Sequence, residues 1–162
     1  MCIRDREKPT GEVAAGAGTG TSGSAITFSI AENNYLGVGT RLKANTTISD
    51  ESIEALFSIQ NPNFRNTDRS LNTTIETTKN DLMSKFGYET TKTGFSLGTS
   101  FEQYQNVYFT PWISSYFETL DTSSKASKSK RKQEGDYFDT NFSYRINLNR
   151  LNQNFQPTDG YK

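Results

Sequence analysis

Histidine is absent from this chain of 162 residues, and Cys2 is its single cysteine. Disulfide frameworks need paired cysteines, while zinc sites and most catalytic dyads and triads need His or Cys. These absences exclude most metal and hydrolytic chemistry, so the sequence predicts no catalytic, cofactor-binding or metal site. The formal net charge is +0, and no basic field points to nucleic acid as a partner.

Long apolar runs are also missing. No run reaches the roughly 18 apolar residues that a transmembrane helix needs, so a membrane could be crossed only by strands. Hydrophobic residues make up 32% of the chain, and the mean hydropathy is −0.74. Disorder would explain such polarity, but the 12% aromatic content favours strands. A water-filled barrel fits both facts, because half of each strand faces a polar lumen.

What the chain has instead is a two-residue alternation. Every second residue from Phe138 to Leu148 is apolar or Thr, and the residues between them are polar. The pattern recurs about eight times in segments near ten residues, the length of a tilted strand that crosses a bilayer. We predict an all-β, antiparallel, up-and-down transmembrane β-barrel fragment. A soluble β-sandwich would also give short alternating strands.

The lengths of the connections between the predicted strands indicate which end of the barrel faces the periplasm. Those after odd-numbered strands tend to lengthen along the chain, up to loops at 79–89 and 121–136, whereas those after even-numbered strands stay compact. Outer-membrane barrels have short periplasmic turns and longer outer loops, so the first strand, at 11–21, is expected to rise from the periplasm. Pro111 predicts a bulge or a local distortion, and it leaves open whether Trp112 faces lumen or lipid.

Several turn sequences resemble those of the BamA family of outer-membrane insertases, over residues 7–162. The resemblance begins with Glu7-Lys8-Pro9-Thr10-Gly11 and includes Arg150-Leu151-Asn152-Gln153-Asn154-Phe155-Gln156 before the last turn. The turn residues that carry it, expected on the periplasmic side, are Asn33, Asn34, Tyr35, Leu36, Gly37, Asn61, Pro62, Phe64, Pro157, Thr158, Asp159 and Gly160.

The resemblance implies a barrel of about sixteen strands that follows periplasmic POTRA domains, in the outer membrane of a Gram-negative bacterium. Residues 1–6 look like translated adapter sequence, 7–10 would end the POTRA-to-barrel linker, and 11–162 would form the first, incomplete half of the barrel. The implied partners are the outer-membrane bilayer, unfolded outer-membrane protein clients and accessory lipoproteins. The implied function is the folding and insertion of outer-membrane proteins.

The first strand is the expected functional element, because glycine packs and pairs weakly there. In the family this strand forms a lateral gate that pairs with an incoming client. The expected gate residues are Val13, Ala14, Ala15, Gly16, Ala17, Gly18, Thr19, Gly20 and Thr21. An alternative interpretation is that the small residues only relieve crowding at the barrel seam.

Other functions stay open on the sequence alone. A POTRA-linked two-partner secretion transporter or another outer-membrane pore would show the same strands. The basic run at 125–132 either contacts anionic lipid phosphates or forms an ordinary solvated loop. Five tyrosines near strand ends are expected in interfacial girdles: Tyr35, Tyr104, Tyr108, Tyr116 and Tyr137.

Overall fold

The computed structural model describes residues 9–20 and 23–150. Eight strands run as β1 Gly11–Gly20, β2 Gly23–Tyr35, β3 Thr40–Ser49, β4 Ser52–Asn61, β5 Ser70–Leu82, β6 Tyr88–Tyr104, β7 Val107–Thr122 and β8 Gly135–Leu148. Two four-residue helices, α1 Met83–Phe86 and α2 Lys128–Arg131, and a 3₁₀ turn at Phe64–Asn66 lie between strands. In the described ranges, no helix is long and apolar enough to cross a membrane. The expected adapter segment, Thr21 and the turn Pro157–Gly160 lie outside the described residues.

All eight strands form one antiparallel sheet in the order β1-β2-β3-β4-β5-β6-β7-β8. Each strand pairs with its neighbours in the chain, which is the meander that short turns favour. This arrangement confirms the predicted all-β, up-and-down fold. A β-sandwich needs a second sheet to cover the first, and the described residues contain a single sheet.

The register separates an apolar face from a polar face. One row of paired residues on the apolar face runs from Val13 through Ile30, Ala44, Phe57 and Ile75 to Phe95. These side chains do not pack into a core: Val13 is 80% exposed. Within the described part of the chain, the only buried apolar side chains are Leu120 and Ala126. Such a face requires an apolar surrounding in place of a protein core.

The polar face carries hydrogen bonds and the charges expected for a lumen. The Ser29 hydroxyl donates to Asn45 Oδ1 at 2.7 Å across the β2–β3 pair. By the register, the five charged side chains that the sequence predicts in the lumen all lie on this face. They are Arg41, Lys43, Glu54, Glu76 and Arg145.

The expected loop at 79–89 is wrong, because most of it is strand. β5 and β6 stay paired from Lys79–Thr91 to Leu82–Tyr88, and α1 with Gly87 makes the turn. The ion pair between Lys79 Nζ and Glu89 Oε1, at 2.7 Å, joins the two strands there. The segment breaks the apolar–polar alternation, so its strand character depends on ladder pairing that the pattern does not record.

The next loop is also shorter than expected, because β7 extends to Thr122 and β8 begins at Gly135. Loop lengths therefore follow strand parity only partly. The β4–β5 connection at 62–69 is longer than the β5–β6 connection at 83–87, while the β7–β8 connection at 123–134 is the longest described.

Of the two structures predicted at Pro111, the bulge is wrong and a local interruption of the ladder is present. The β6–β7 register is the same on both sides of Pro111, with Gly98 opposite Trp112 and Phe101 opposite Phe109. The register shift in this pair lies between Glu102 and Tyr104. Because Pro lacks an N–H, it interrupts the ladder without adding a residue to the strand. Trp112 lies opposite Ser143, and this places it on the polar face.

Tyr116 is another correction, since it does not lie in an interfacial girdle. It is half-buried in the middle of β7, opposite Gly94 and on the polar face. Lys92 Nζ lies 4.3 Å from the centroid of its ring. An aromatic ring in the lumen thus replaces the expected contact with the membrane interface.

Candidate functional site

β1 is an edge strand within the described chain. It pairs with β2 without a break, from Gly11–Glu32 to Gly20–Gly23, and has no described neighbour on its other side. Every residue of β1 is exposed. Of the expected gate residues, those from Val13 to Gly20 therefore lie along one edge of the described sheet, as β8 lies along the other, and Thr21 lies outside the described residues.

Backbone alternation identifies which groups of this edge are free. The Asn33 N–H donates to the Thr10 carbonyl at 3.1 Å, so the pair Thr10–Asn33 is a hydrogen-bonded pair. Hydrogen-bonded and non-hydrogen-bonded pairs alternate along an antiparallel ladder. Even-numbered residues of β1 therefore direct their N–H and C=O groups to β2. The groups that point away from β2 belong to Gly11, Val13, Ala15, Ala17 and Thr19.

The glycines of β1 have open space around them. A Cβ at Gly16, Gly18 or Gly20 would meet nothing within 4 Å. Together with Ala25, Thr27 and Ser49, these glycines line a shallow open groove of about 580 Å³ on the polar face. No contact within the described chain requires glycine at these positions, so their effect is to leave the edge strand without packing side chains.

The first predicted turn motif, Asn33 to Gly37, connects the N-terminal end of β1 to the β2–β3 turn by hydrogen bonds. Both the backbone N–H and the side-chain amide of Asn33 donate to the Thr10 carbonyl. Asn34 Oδ1 accepts from the Gly39 N–H at 2.7 Å. Leu36 and Gly37 have φ angles of 57° and 71°, and Gly at the second position lowers the strain of this left-handed turn.

The second turn motif lies beside the first. Asn61 Oδ1 accepts from the Asn63 N–H, and the Phe64 N–H donates to the Arg69 carbonyl at 2.8 Å. Pro62 Cγ lies 4.0 Å from the position of a Cβ on Gly39. The structure thus brings the two described turn motifs together at one end of the sheet. Tyr35 ends β2 at this same rim.

The polar face of β6 and β7 holds two aromatic–glycine pairs that the sequence analysis missed. Tyr116 covers Gly94, where a Cβ would also lie 2.6 Å from the Ser115 carbonyl. Trp112 covers Gly98, where a Cβ would lie 3.1 Å from Trp112 Cβ. The equal four-residue spacing of the two glycines and the two aromatics is a signal that could have found these pairs.

A family comparison identifies the chain. The Omp85 superfamily domain matches residues 34–162, which is most of the sequence. The chain belongs to the Omp85 superfamily. Among curated proteins, none matches this sequence.

Solved structures give a second comparison for this Omp85 chain. Its fold is similar to that in the crystal structure of BamA from Haemophilus ducreyi lacking POTRA domains 1-3, with a TM-score of 0.65. The two sequences are 23% identical, and the match covers 96% of this chain. The Omp85 chain spans 33% of the length of that BamA chain.

The arrangement of the Omp85 sheet is suited to binding by backbone pairing. The free edge of β1 offers N–H and C=O groups at alternate residues, with only small side chains beside them. In the described part of the chain, no group of three or more acidic, His or Cys side chains gathers where a metal ion could bind.

Proposed function

We propose that this chain is part of an outer-membrane insertase in which β1 pairs with a strand of an incoming client barrel. The observation that supports the proposal most directly is the unpacked, glycine-rich composition of β1, whose backbone groups at Val13, Ala15 and Ala17 point away from β2 in one row. The Omp85 match and the fold shared with BamA agree with this role.

Backbone pairing explains why such a site needs no specific side chains. An N–H or C=O group in hydrocarbon without a partner costs several kcal/mol. A client strand that enters the membrane beside β1 can pair with these groups, which is a form of β-augmentation. Because every client strand has the same backbone, one edge can accept many sequences.

The glycines of β1 weaken its competing contacts. Glycine in a strand is about 0.5–1 kcal/mol less favourable than alanine, and the open groove provides no packing to offset that cost. β1 would therefore exchange its seam partner for a client strand at low cost. The partners proposed for the apolar face are the outer-membrane lipids. Accessory lipoproteins of the assembly complex are further expected partners.

A pair of proline variants tests this mechanism. In Ala15→Pro the lost N–H points to the free edge, whereas in Ala14→Pro the lost N–H points to β2. We expect Ala15→Pro to lower client assembly at least about tenfold while the β1–β2 pairing is retained, because the lost N–H points away from β2. Ala14→Pro should instead lower the free energy of unfolding by about 1–3 kcal/mol.

The measurement uses the intact protein in lipid vesicles with an unfolded client barrel, whose folding is followed by its resistance to SDS at low temperature. In a Cys2→Ser background, Val13→Cys should also form a disulfide with cysteines on the client's pairing strand. The proposal would be contradicted if Ala15→Pro assembled clients normally and Val13→Cys formed no disulfide with the client. Client chains that cross the bilayer unfolded would instead favour the secretion-transporter alternative.

A further inference from the structure

The two connections β5–β6 and β7–β8 meet at one rim of the sheet and form a single structure, here called the rim platform (residues 83–87 and 123–134). The Ser123 N–H and hydroxyl both donate to the Gly87 carbonyl, at 2.7 and 3.1 Å. Ala126 is buried, and its backbone N would lie 2.6 Å from a Cβ on Gly87. The 123–134 connection is therefore fixed against the neighbouring turn.

The rim platform is strongly basic although the chain as a whole is neutral. Glu134 is the only acidic residue between 123 and 134, and it accepts a hydrogen bond from Thr122. Lys85 pairs with Glu51. The basic residues of the 123–134 connection, which form no ion pair with any described residue, are Lys125, Lys128, Lys130, Arg131 and Lys132.

Helix α2 divides these charges between two directions. The Ser127 hydroxyl caps the helix by accepting from the Lys130 N–H at 3.3 Å. Lys130 Nζ lies 4.9 Å from the ring centroid of Tyr88, which belongs to the polar face. At about 100° per residue, Lys128, Arg131 and Lys132 lie together on the opposite side of the helix, and all three are exposed.

This cationic group lies just beyond the apolar band. Phe117 and Phe138 are paired and exposed on the apolar face, and β7 continues from there to Thr122. Five residues of a strand tilted by about 45° raise the chain roughly 12 Å. That height corresponds to the headgroup layer of a bilayer that surrounds the apolar face.

We propose that Lys128, Arg131 and Lys132 bind the phosphate groups of anionic lipids in the outer leaflet. Clusters of Lys and Arg close to a membrane bind anionic lipids by charge attraction. Here the attachment to Gly87 fixes the connection that carries the three charges, while Lys130 is the cation that turns toward the polar face. The inference rests on the barrel orientation in the proposed function, with the connections after odd-numbered strands outside.

The test measures binding of diphosphorylated lipid A to the intact protein in a neutral detergent, with dephosphorylated lipid A as the control ligand. We expect the triple variant Lys128→Gln, Arg131→Gln, Lys132→Gln to bind the phosphorylated lipid roughly 100-fold more weakly. Parent binding should weaken as salt rises. Millimolar inorganic phosphate should compete poorly, since it lacks the acyl chains that hold lipid A beside the apolar face of the protein.

Two single variants provide a matched control within the same helix. Lys132→Gln should weaken binding about fivefold and Lys130→Gln less than twofold, although each removes one lysine. Equal effects of the two, or equal binding of both lipids by the parent protein, would overturn the inference.

Assembly of clients in zwitterionic vesicles separates this inference from the proposed function. The triple variant should assemble clients there like the parent protein. In a second outcome, the parent protein assembles no client while its affinity for phosphorylated lipid A still falls in the Gln variants. That result would contradict the proposed function and leave the lipid site standing.

Discussion

Glycines occur on the polar face at both sides of the sheet, but their surroundings differ. In β6, Gly94 and Gly98 lie under Tyr116 and Trp112, and an added Cβ would collide with ring or backbone atoms at Gly94. In β1, a Cβ on Gly16 or Gly18 would meet nothing within 4 Å. The same residue type therefore makes room for aromatic packing in one strand and leaves the other without packing.

Because of this difference, we call β6 and β7 the wall of the sheet and β1 its edge. β6 and β7 are the longest strands described, at 17 and 16 residues, and β1 has 10. Cations lie over both aromatic rings: Lys92 over Tyr116 and Arg145, at 5.8 Å, over Trp112. β1 has no comparable contact, so its free energy of pairing depends almost entirely on backbone hydrogen bonds.

The largest expected effect is at Gly94. Gly94→Ala forces the new methyl group into Tyr116 and the Ser115 carbonyl, and overpacking of this kind costs about 1–3 kcal/mol. Urea unfolding of the intact protein, followed by fluorescence and by mobility in SDS at low temperature, measures the change. An unchanged midpoint would mean that the wall is no more tightly packed than the edge.

The next effect has the opposite sign. Gly16→Ala combined with Gly18→Ala should stabilise the protein by about 1–2 kcal/mol, because alanine is favoured in strands and the space is open. Client assembly should become slower, since β1 would leave its seam partner less readily. Ala25→Ser, on the same groove but in β2, serves as the control for assembly, and destabilisation by the double variant would contradict the open-groove geometry.

A smaller effect is expected at Lys92. Lys92→Gln removes the cation that lies 4.3 Å from the Tyr116 ring, which should cost about 0.5–1 kcal/mol in the same unfolding measurement. Lys43→Gln is the matched control, because Lys43 is an exposed lysine of the same polar face with no described ring beside it. If both variants lose the same stability, the ring contact contributes nothing specific.

Much of the fold could be predicted from the sequence. The alternation from Phe138 to Leu148 depends only on the geometry of a strand between two solvents, and the sheet order followed from short connections. The expectation that Val13 to Thr21 form a lateral gate also came from local composition, and it stays a prediction. Predictions were wrong where strand pairing departs from the alternation: residues 79–81 are polar on both faces yet stay paired with β6.

Other properties of the site could be predicted only by knowing which residue each residue pairs with on the neighbouring strand. Pro111 can cause a bulge or merely a missing hydrogen bond, and only the register of β6 against β7 distinguishes the two. For the same reason Trp112 could not be assigned to a face, and Tyr116 was placed at the interface. The basic residues at 125–132 have the composition of a solvated loop. Only the structure shows that Ser123, at the start of their connection, bonds to Gly87, 36 residues away in the sequence.

The sequence by itself determined that this chain forms strands with one apolar and one polar face, and it predicted that the first strand is the weakest. These are local properties, because side-chain alternation and glycine content need no knowledge of distant residues. The tertiary structure decided which glycines are covered, which backbone groups of β1 are free and where the cations of the rim platform are held. Those depend on register, and register is set by the partner strand.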